Sequence, residues 1–253
     1  MPYLILDAAG ALGVPAVALC SLNWADIFQA YCAEFNGAAQ IHAEILNAYQ
    51  QARTFLRPQP AMPMPELANT QAIAPVVQAA VPQPEHLRTV ANAPASQRFV
   101  LVALGGIGMH YPLEDWPHLA DVVWIVPDSA LDTYTPAAQR RDFFRASQFE
   151  LAYADLLASS DLVLTKTGYG TQTEAVANQV PALCVMRGDW PEEPYLFAWH
   201  REQGEVDFMQ WADVCTPRFA MQVETLLEQA WRKVPIQATG AEEAARVLVA
   251  CVG

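Results

Sequence analysis

Basic residues are scarce in this chain. Fourteen Lys and Arg stand against 27 Asp and Glu, a formal net charge of −13. Binding to a nucleic acid or to an anionic membrane surface needs a basic patch, so both partner classes are excluded. The five cysteines (Cys20, Cys32, Cys184, Cys215, Cys251) include no C-x-x-C pair. Their odd count and the apolar neighbours of Cys20, Cys184 and Cys251 predict reduced core thiols and a cytoplasmic protein. None of the five histidines (His42, His86, His110, His118, His200) has a metal-ligand spacing such as H-E-x-x-H, so each reads as a surface or satisfied histidine and no metal is expected. Uncharged apolar runs of membrane-spanning length are missing, and Met1 to Asp7 lacks the basic start of a secretory leader. No transmembrane segment is therefore expected. What is present is a strongly apolar composition. With 53% hydrophobic and 16% charged residues the chain is globular, and 253 residues suffice for one large domain or two small ones.

Along the chain, Tyr3 to Leu12 reads as a helix, Gly13-Val-Pro15 as a turn, and Ala16-Val-Ala-Leu-Cys20 as a strand. This is a parallel α/β step, although no earlier strand precedes it. A helical run is expected to about Arg53. Eight of the nineteen prolines fall between Pro58 and Pro94, which predicts an irregular connector with an apolar strip from Ala72 to Val81. From Arg98 the pattern changes. Phe99–Leu104, Asp121–Val126, Asp161–Leu164 and Ala182–Met186 are short continuous apolar runs. Helical segments are expected at Phe149–Leu157, Pro194–Arg201, Arg218–Lys233 and Ala241–Val252. Buried apolar strands alternating with helices predict an α/β fold with a doubly wound parallel sheet.

The most informative stretch is Thr165-Lys-Thr-Gly-Tyr-Gly-Thr-Gln-Thr-Glu174. It joins an apolar strand to a helical pattern through a glycine turn that carries a lysine. Gly168 and Gly170 permit positive φ and close backbone approach. The N–H groups that open the following helix, with its dipole, suit an anion such as phosphate. A second reading of the same residues is structural. Thr171 and Glu174 have the spacing of a capping box, with Lys166 as a solvated charge.

Several of these motifs together resemble one family. Gly105-Gly106 after the first apolar strand, Ser160-Asp-Leu-Val163, Lys166-x-Gly-x-Gly-Thr171, Glu174-Ala175, Val180-Pro181 and Glu192-Glu193-Pro-Tyr195 are similar to the C-terminal, nucleotide-sugar-binding domain of GT-B glycosyltransferases of the family 28 type. The resemblance runs from about Arg98 to the end. It implies a GT-B fold with a Rossmann-like C-terminal domain. The expected organisation is a partial N-terminal acceptor-type domain at 1–57, a proline-rich connector at 58–97, a donor-binding domain at 98–235, and a C-terminal helix at 236–253 that packs back on the N-terminal part. Residues 8–24 resemble only the latter part of the family's acceptor domain, so a truncated N-terminal domain is expected.

By the same resemblance, Gly105 and Gly106 approach the donor diphosphate. Gly168, Tyr169, Gly170 and Thr171 form the helix-terminal phosphate contact, and Lys166 adds charge. Glu174 accepts hydrogen bonds from ribose hydroxyls, a role that suits an acceptor-only carboxylate. Glu193, beside Glu192, falls near the sugar loop, though the pair also reads as a solvated acidic helix start. Arg187 follows the fourth apolar strand and is a candidate for the same cleft. Gln179 stands where the family carries glycine. The catalytic base is not identified, and His110 is the one nearby candidate. The implied activity is metal-independent sugar transfer from a nucleotide sugar, a UDP sugar in the first instance. Two alternatives stay open: a non-catalytic nucleotide-binding or partner subunit, and a nucleotide-sugar 2-epimerase. The truncated domain leads us to expect a homo-oligomer or a partner chain.

Overall fold

A computed structural model describes residues 3–105, 111–132 and 140–252. The chain divides into two compact units. The first comprises 1–77, 189–196 and 237–253, and the second 78–188 and 197–236.

In the first unit α1 (Tyr3–Ala11), β1 (Val17–Leu19), α2 (Trp24–Cys32), α3 (Ala38–Gln50), β2 (Thr54–Pro58) and β3 (Thr70–Ile73) follow in order. Asn23 caps α2 by accepting the Asp26 N–H at 2.8 Å. The three strands form a parallel sheet in the order β1-β2-β3. Alternation along β2 divides its side chains between the two faces. Phe55 packs with Ile27, Ile45 and Tyr49, while Leu56 on the other face packs with Ile73 and Ala244. Neither β2 nor β3 is expected from the sequence. β2 has only five residues, and β3 has a single buried side chain, Ile73, so neither shows a period. Their parallel ladder supplies the backbone partners that local pattern does not announce.

The second unit holds α4 (Pro84–Ala91), β4 (Arg98–Ala103), β5 (Val122–Val126), α5 (Asp128–Asp132), β6 (Phe143–Arg145), α6 (Tyr153–Ala158), β7 (Leu162–Lys166), α7 (Tyr169–Ala177), β8 (Ala182–Val185), α8 (Glu193–Gln203), β9 (Val206–Met209) and α9 (Pro217–Glu228). The first four residues of α8 count with the first unit. α4 lies inside the expected connector. Pro84 is its first residue, a position where a missing N–H costs nothing, so the proline starts a helix instead of interrupting one. The segment expected to be helical from Phe149 begins instead at Tyr153, because Ala146–Phe149 is a 3-10 turn closed by Glu150 at φ 51°. α9 stops at Glu228, since Gln229 is extended.

All six strands of this unit are parallel, in the order β6-β5-β4-β7-β8-β9. Both faces are covered, which is why the central strands read as unbroken apolar runs. Val100, Trp124 and Leu164 pack with Phe219 and Val223 of α9 on one face. Leu101, Ile125 and Val163 pack with Leu87 of α4 and Leu157 of α6 on the other. The two edge strands, β6 and β9, escape the sequence reading. β6 has three half-buried residues and β9 buries only Phe208 and Met209, so no continuous apolar run marks them.

The last helix, α10 (Gly240–Val252), belongs to the first unit, where Ala244 and Val247 pack on Leu56 and Ile73. Arg53 donates to the Cys251 carbonyl at 3.1 Å, and the Ala74 N–H donates to Glu243 at 3.4 Å. Gly240 is fixed by space. A Cβ there would stand 2.1 Å from the Ala74 carbonyl oxygen and 2.8 Å from that of Pro75. Gly240→Ala is expected to destabilise the chain by about 1–3 kcal/mol through a forced backbone shift, measured by urea unfolding.

α7 ends in a Schellman motif. The Val180 N–H donates to the Ala175 carbonyl at 2.9 Å and the Gln179 N–H to that of Val176 at 3.2 Å. Gln179 therefore carries φ +58°, the left-handed conformation that glycine adopts without cost. Gln179→Gly is expected to raise stability by about 0.5–1 kcal/mol, with the gain in relieved strain exceeding the added freedom of the unfolded chain. A lowered melting temperature in that variant would refute the strain argument.

Candidate functional site

Numbered by their own sequence order, the six strands of the second unit run 3-2-1-4-5-6, so the winding direction reverses between β4 and β7. At such a reversal the loops leaving the carboxyl ends of the two strands diverge to opposite faces and leave a crevice between them. The β4 and β7 ends are tied by the pairing of Val102 with Leu164 and by Thr165 Oγ1 donating to the Ala103 carbonyl at 3.0 Å. Gly105 leaves one strand and Gly168 the other. The two glycine turns, some sixty residues apart in sequence, thus flank one crevice.

Each turn is built differently. Gly105 has φ +57°, so glycine is favoured there on conformational grounds. A Cβ at Gly105 would lie 3.6 Å from both Cε and Nζ of Lys166, which places the lysine end over the first turn although it comes from the second strand. Lys166 is one of two lysines in the chain. Gly168 is extended (φ −177°), and Gly170 lies inside the first turn of α7, so neither takes the positive φ expected of them. What they provide is room. A Cβ at Gly170 would meet nothing within 4 Å, and one at Gly168 only the Lys166 carbonyl oxygen, at 4.0 Å.

The capping-box reading does not hold. α7 starts at Tyr169 with Gly168 as its N-cap, so Thr171 is the third helical residue and Glu174 the sixth. The N-cap Gly168 has no side chain to cap the helix, and the Thr171 hydroxyl is paired with Tyr153 Oη at 2.9 Å. Glu174 is half-buried. Burial pushes its carboxyl above the ordinary carboxylate value, countered in part by the Gln78 backbone N–H that it accepts. A cavity of about 350 Å3 adjoins the crevice, lined by Leu101, Ala103, Gly105, Pro127, Tyr153 and Thr171 among others.

Gly105, Lys166, Gly168, Tyr169, Gly170, Thr171 and Glu174 thus lie on two adjoining strand–loop segments of one unit. Arg187 is exposed, two residues beyond the end of β8. Glu193 is buried, as is Glu192, and both count with the first unit, where Ser21 Oγ donates to Glu192 at 2.5 Å and Trp190 Nε1 at 3.1 Å. The solvated acidic helix start expected there is therefore corrected: this pair is packed and bonded. Gly106 and His110 lie outside the described residues. Among the described residues no group of three His, Cys, Asp or Glu is placed to hold a metal ion, and no helix is long and apolar enough to cross a membrane. The cysteines are free, but only Cys184 is a core thiol and Cys215 is exposed.

Two residues at this site carry no sequence signal. Gln172 and His200 are wholly buried. Gln172 accepts the Gly168 N–H at 2.9 Å through Oε1 and pairs through Nε2 with His200 Nδ1, also at 2.9 Å. Only their meeting across 28 residues reveals them. Burial lowers the His200 pKa from 6.5 to about 3, so the imidazole stays neutral. The unfolded chain takes up a proton near pH 6.5 that the folded chain refuses. Stability from this group is therefore complete above pH 6.5 and falls as pH drops below it. From about pH 7.5 to about pH 5.5 the native chain is expected to lose roughly 1.4 kcal/mol more stability than His200→Leu, measured by urea unfolding at each pH. Equal losses in both proteins would contradict a buried neutral histidine.

No family model and no curated protein sequence matches this chain. Solved structures do. The chain is similar to the glycotransferase of kitacinnamycin with a TM-score of 0.60 at 15% identity, over 99% of this chain and 71% of that one. It is similar to the spinosyn rhamnosyltransferase SpnG complexed with thymidine diphosphate (TM-score 0.56, 17% identity, 97% of this chain and 65% of that one). It is also similar to Arabidopsis thaliana UGT89C1 complexed with UDP (0.54, 13% identity, 89% and 63%). Identities this low speak for the fold and not for a family within it. The α/β architecture with two parallel sheets is that of the GT-B glycosyltransferases.

Proposed function

We propose that the second unit binds a pyrimidine nucleoside diphosphate sugar and that the chain acts in glycosyl transfer. The observation that carries this reading is the placement of Lys166 Nζ over the Gly105 turn, beside the start of α7. A diphosphate in the crevice would meet a lysine charge and helix N–H groups together, in a chain whose net charge of −13 otherwise repels anions. The adjoining apolar cavity is of a size and lining that suit a base, and Glu174 offers an acceptor for ribose hydroxyls. Two of the similar structures hold UDP and thymidine diphosphate, which favours a pyrimidine nucleotide.

In transfer, the bond from the sugar to the diphosphate breaks as an acceptor hydroxyl attacks. Negative charge then grows on the leaving phosphate. Lys166 and the α7 terminus are arranged to stabilise that charge without a proton transfer. The chain spans between about 60% and 70% of the structures it matches, and the acceptor and the general base lie within this proposal only as requirements of the chemistry.

Thermal unfolding with UDP, thymidine diphosphate and their sugars tests the reading. A ligand at about 100 times its Kd adds roughly 2.7 kcal/mol of stability. The expected outcome is stabilisation by pyrimidine diphosphates that disappears in the Lys166→Ala, Glu174→Ala double variant. Stabilisation by none of them would sink the donor-site reading and favour a partner subunit that keeps the fold alone.

A further inference from the structure

A donor-only group sets the chemistry of a short buried chain. The Gly168 N–H can only donate, so the Gln172 atom facing it at 2.9 Å is the amide oxygen. The other end of that amide is then NH2, a donor, and it faces His200 Nδ1 at 2.9 Å. Nδ1 must therefore accept, which puts the single imidazole proton on Nε2. Nε2 is buried and has no hydrogen-bond partner among the described residues. Such an arrangement is costly by itself and needs a use.

Gly204 stands directly against the His200 ring. A Cβ at Gly204 would lie 2.7 Å from His200 Cδ2, 2.9 Å from Nε2 and 2.8 Å from Val176 Cγ2. Glycine at 204 thus leaves room for the ring, and the Gly204 N–H closes the end of α8 on the His200 carbonyl at 2.8 Å.

We infer that His200 and Gln172 are positioning residues that hold the Gly168 backbone, and with it the start of α7, in its anion-binding form before any ligand arrives. This rests on the donor-site reading above for the identity of the anion. The physical consequence is preorganisation. The Gly168 N–H is occupied by Gln172, so the turn is fixed and the N–H groups at the start of α7 need no reorientation on binding. Gln172 does for the N-cap N–H what the third helical residue does in a capping box, from one position further along.

The experiment combines three readouts on the full chain. In ligand-free protein, long-range 15N–1H NMR should show His200 as the Nε2–H tautomer. The Nδ1–H tautomer would overturn the inference. Amide hydrogen exchange at Gly168 should be about tenfold faster in His200→Leu than in the native chain, the scale of one lost hydrogen bond, with exchange at Val123 in the sheet core unchanged. Equal acceleration at both amides would mean general destabilisation and would also overturn it. In titrations with UDP, His200→Leu should bind about tenfold more weakly, and His200→Asn, which keeps an acceptor near the Nδ1 position, should recover to within about threefold of native. Gln172→Ala provides the same comparison should His200→Leu not fold. Native-like UDP affinity in His200→Leu alongside faster Gly168 exchange would refute the functional role. If native protein binds no UDP, the donor-site reading fails, while tautomer and exchange still decide whether His200 and Gln172 hold the turn.

Discussion

The parallel pairing of β4 with β7 is the constraint on which the candidate site depends. These strands are the first and fourth of their sheet, and their ladder lies where the winding reverses. Parallel strands cannot be joined by tight hairpins, so each needs a crossover, and each crossover leaves from the same end of the sheet. Reversal of direction then sends the loops after Ala103 and Lys166 apart. Burial on both faces locks the pairing, because a one-residue slip would exchange Val100 and Leu101 between two different cores. The crevice is in this sense a by-product of sheet topology.

What the crevice can do follows from a few local features placed on that frame. The left-handed turn at Gly105 lets the lysine of the neighbouring strand reach across it, and the glycines at 168 and 170 keep side chains off the opening of α7. In an acidic chain a single well-placed lysine matters more than a surface tally of charge indicates. Its field acts on a site where helix N–H groups add to it, and partial burial lessens screening by salt. Glu174 works in the opposite sense. It adds negative charge near the same helix but is half-buried and already accepts a backbone N–H, which would lessen its burden on the anion we propose there.

Legibility in the sequence followed burial. β4, β5, β7 and β8 are covered on both faces and appear as continuous apolar runs, so the doubly wound sheet could be read from residues alone. β2, β3, β6 and β9 are short or half-exposed and left no period. The prolines of 58–94 obscured a strand and a helix, because proline marks a helix start as readily as a break and only the neighbouring structure tells which. Glu193 illustrates the converse. An acidic pair at a helix start normally signals solvent, yet here Ser21 and Trp190 hold Glu192 inside the first unit.

By itself the sequence determined the fold class, through apolar runs alternating with helical segments, and the two glycine turns and the lysine between strand and helix, each encoded within a dozen contiguous residues. The tertiary structure alone decided that the two turns share one crevice, that Lys166 lies over Gly105, and that Gln172 meets His200. Those facts depend on which strands pair and which helices pack together. Contacts between residues 28 to 61 positions apart arise from the burial of whole elements, and no local pattern of residue types carries that information.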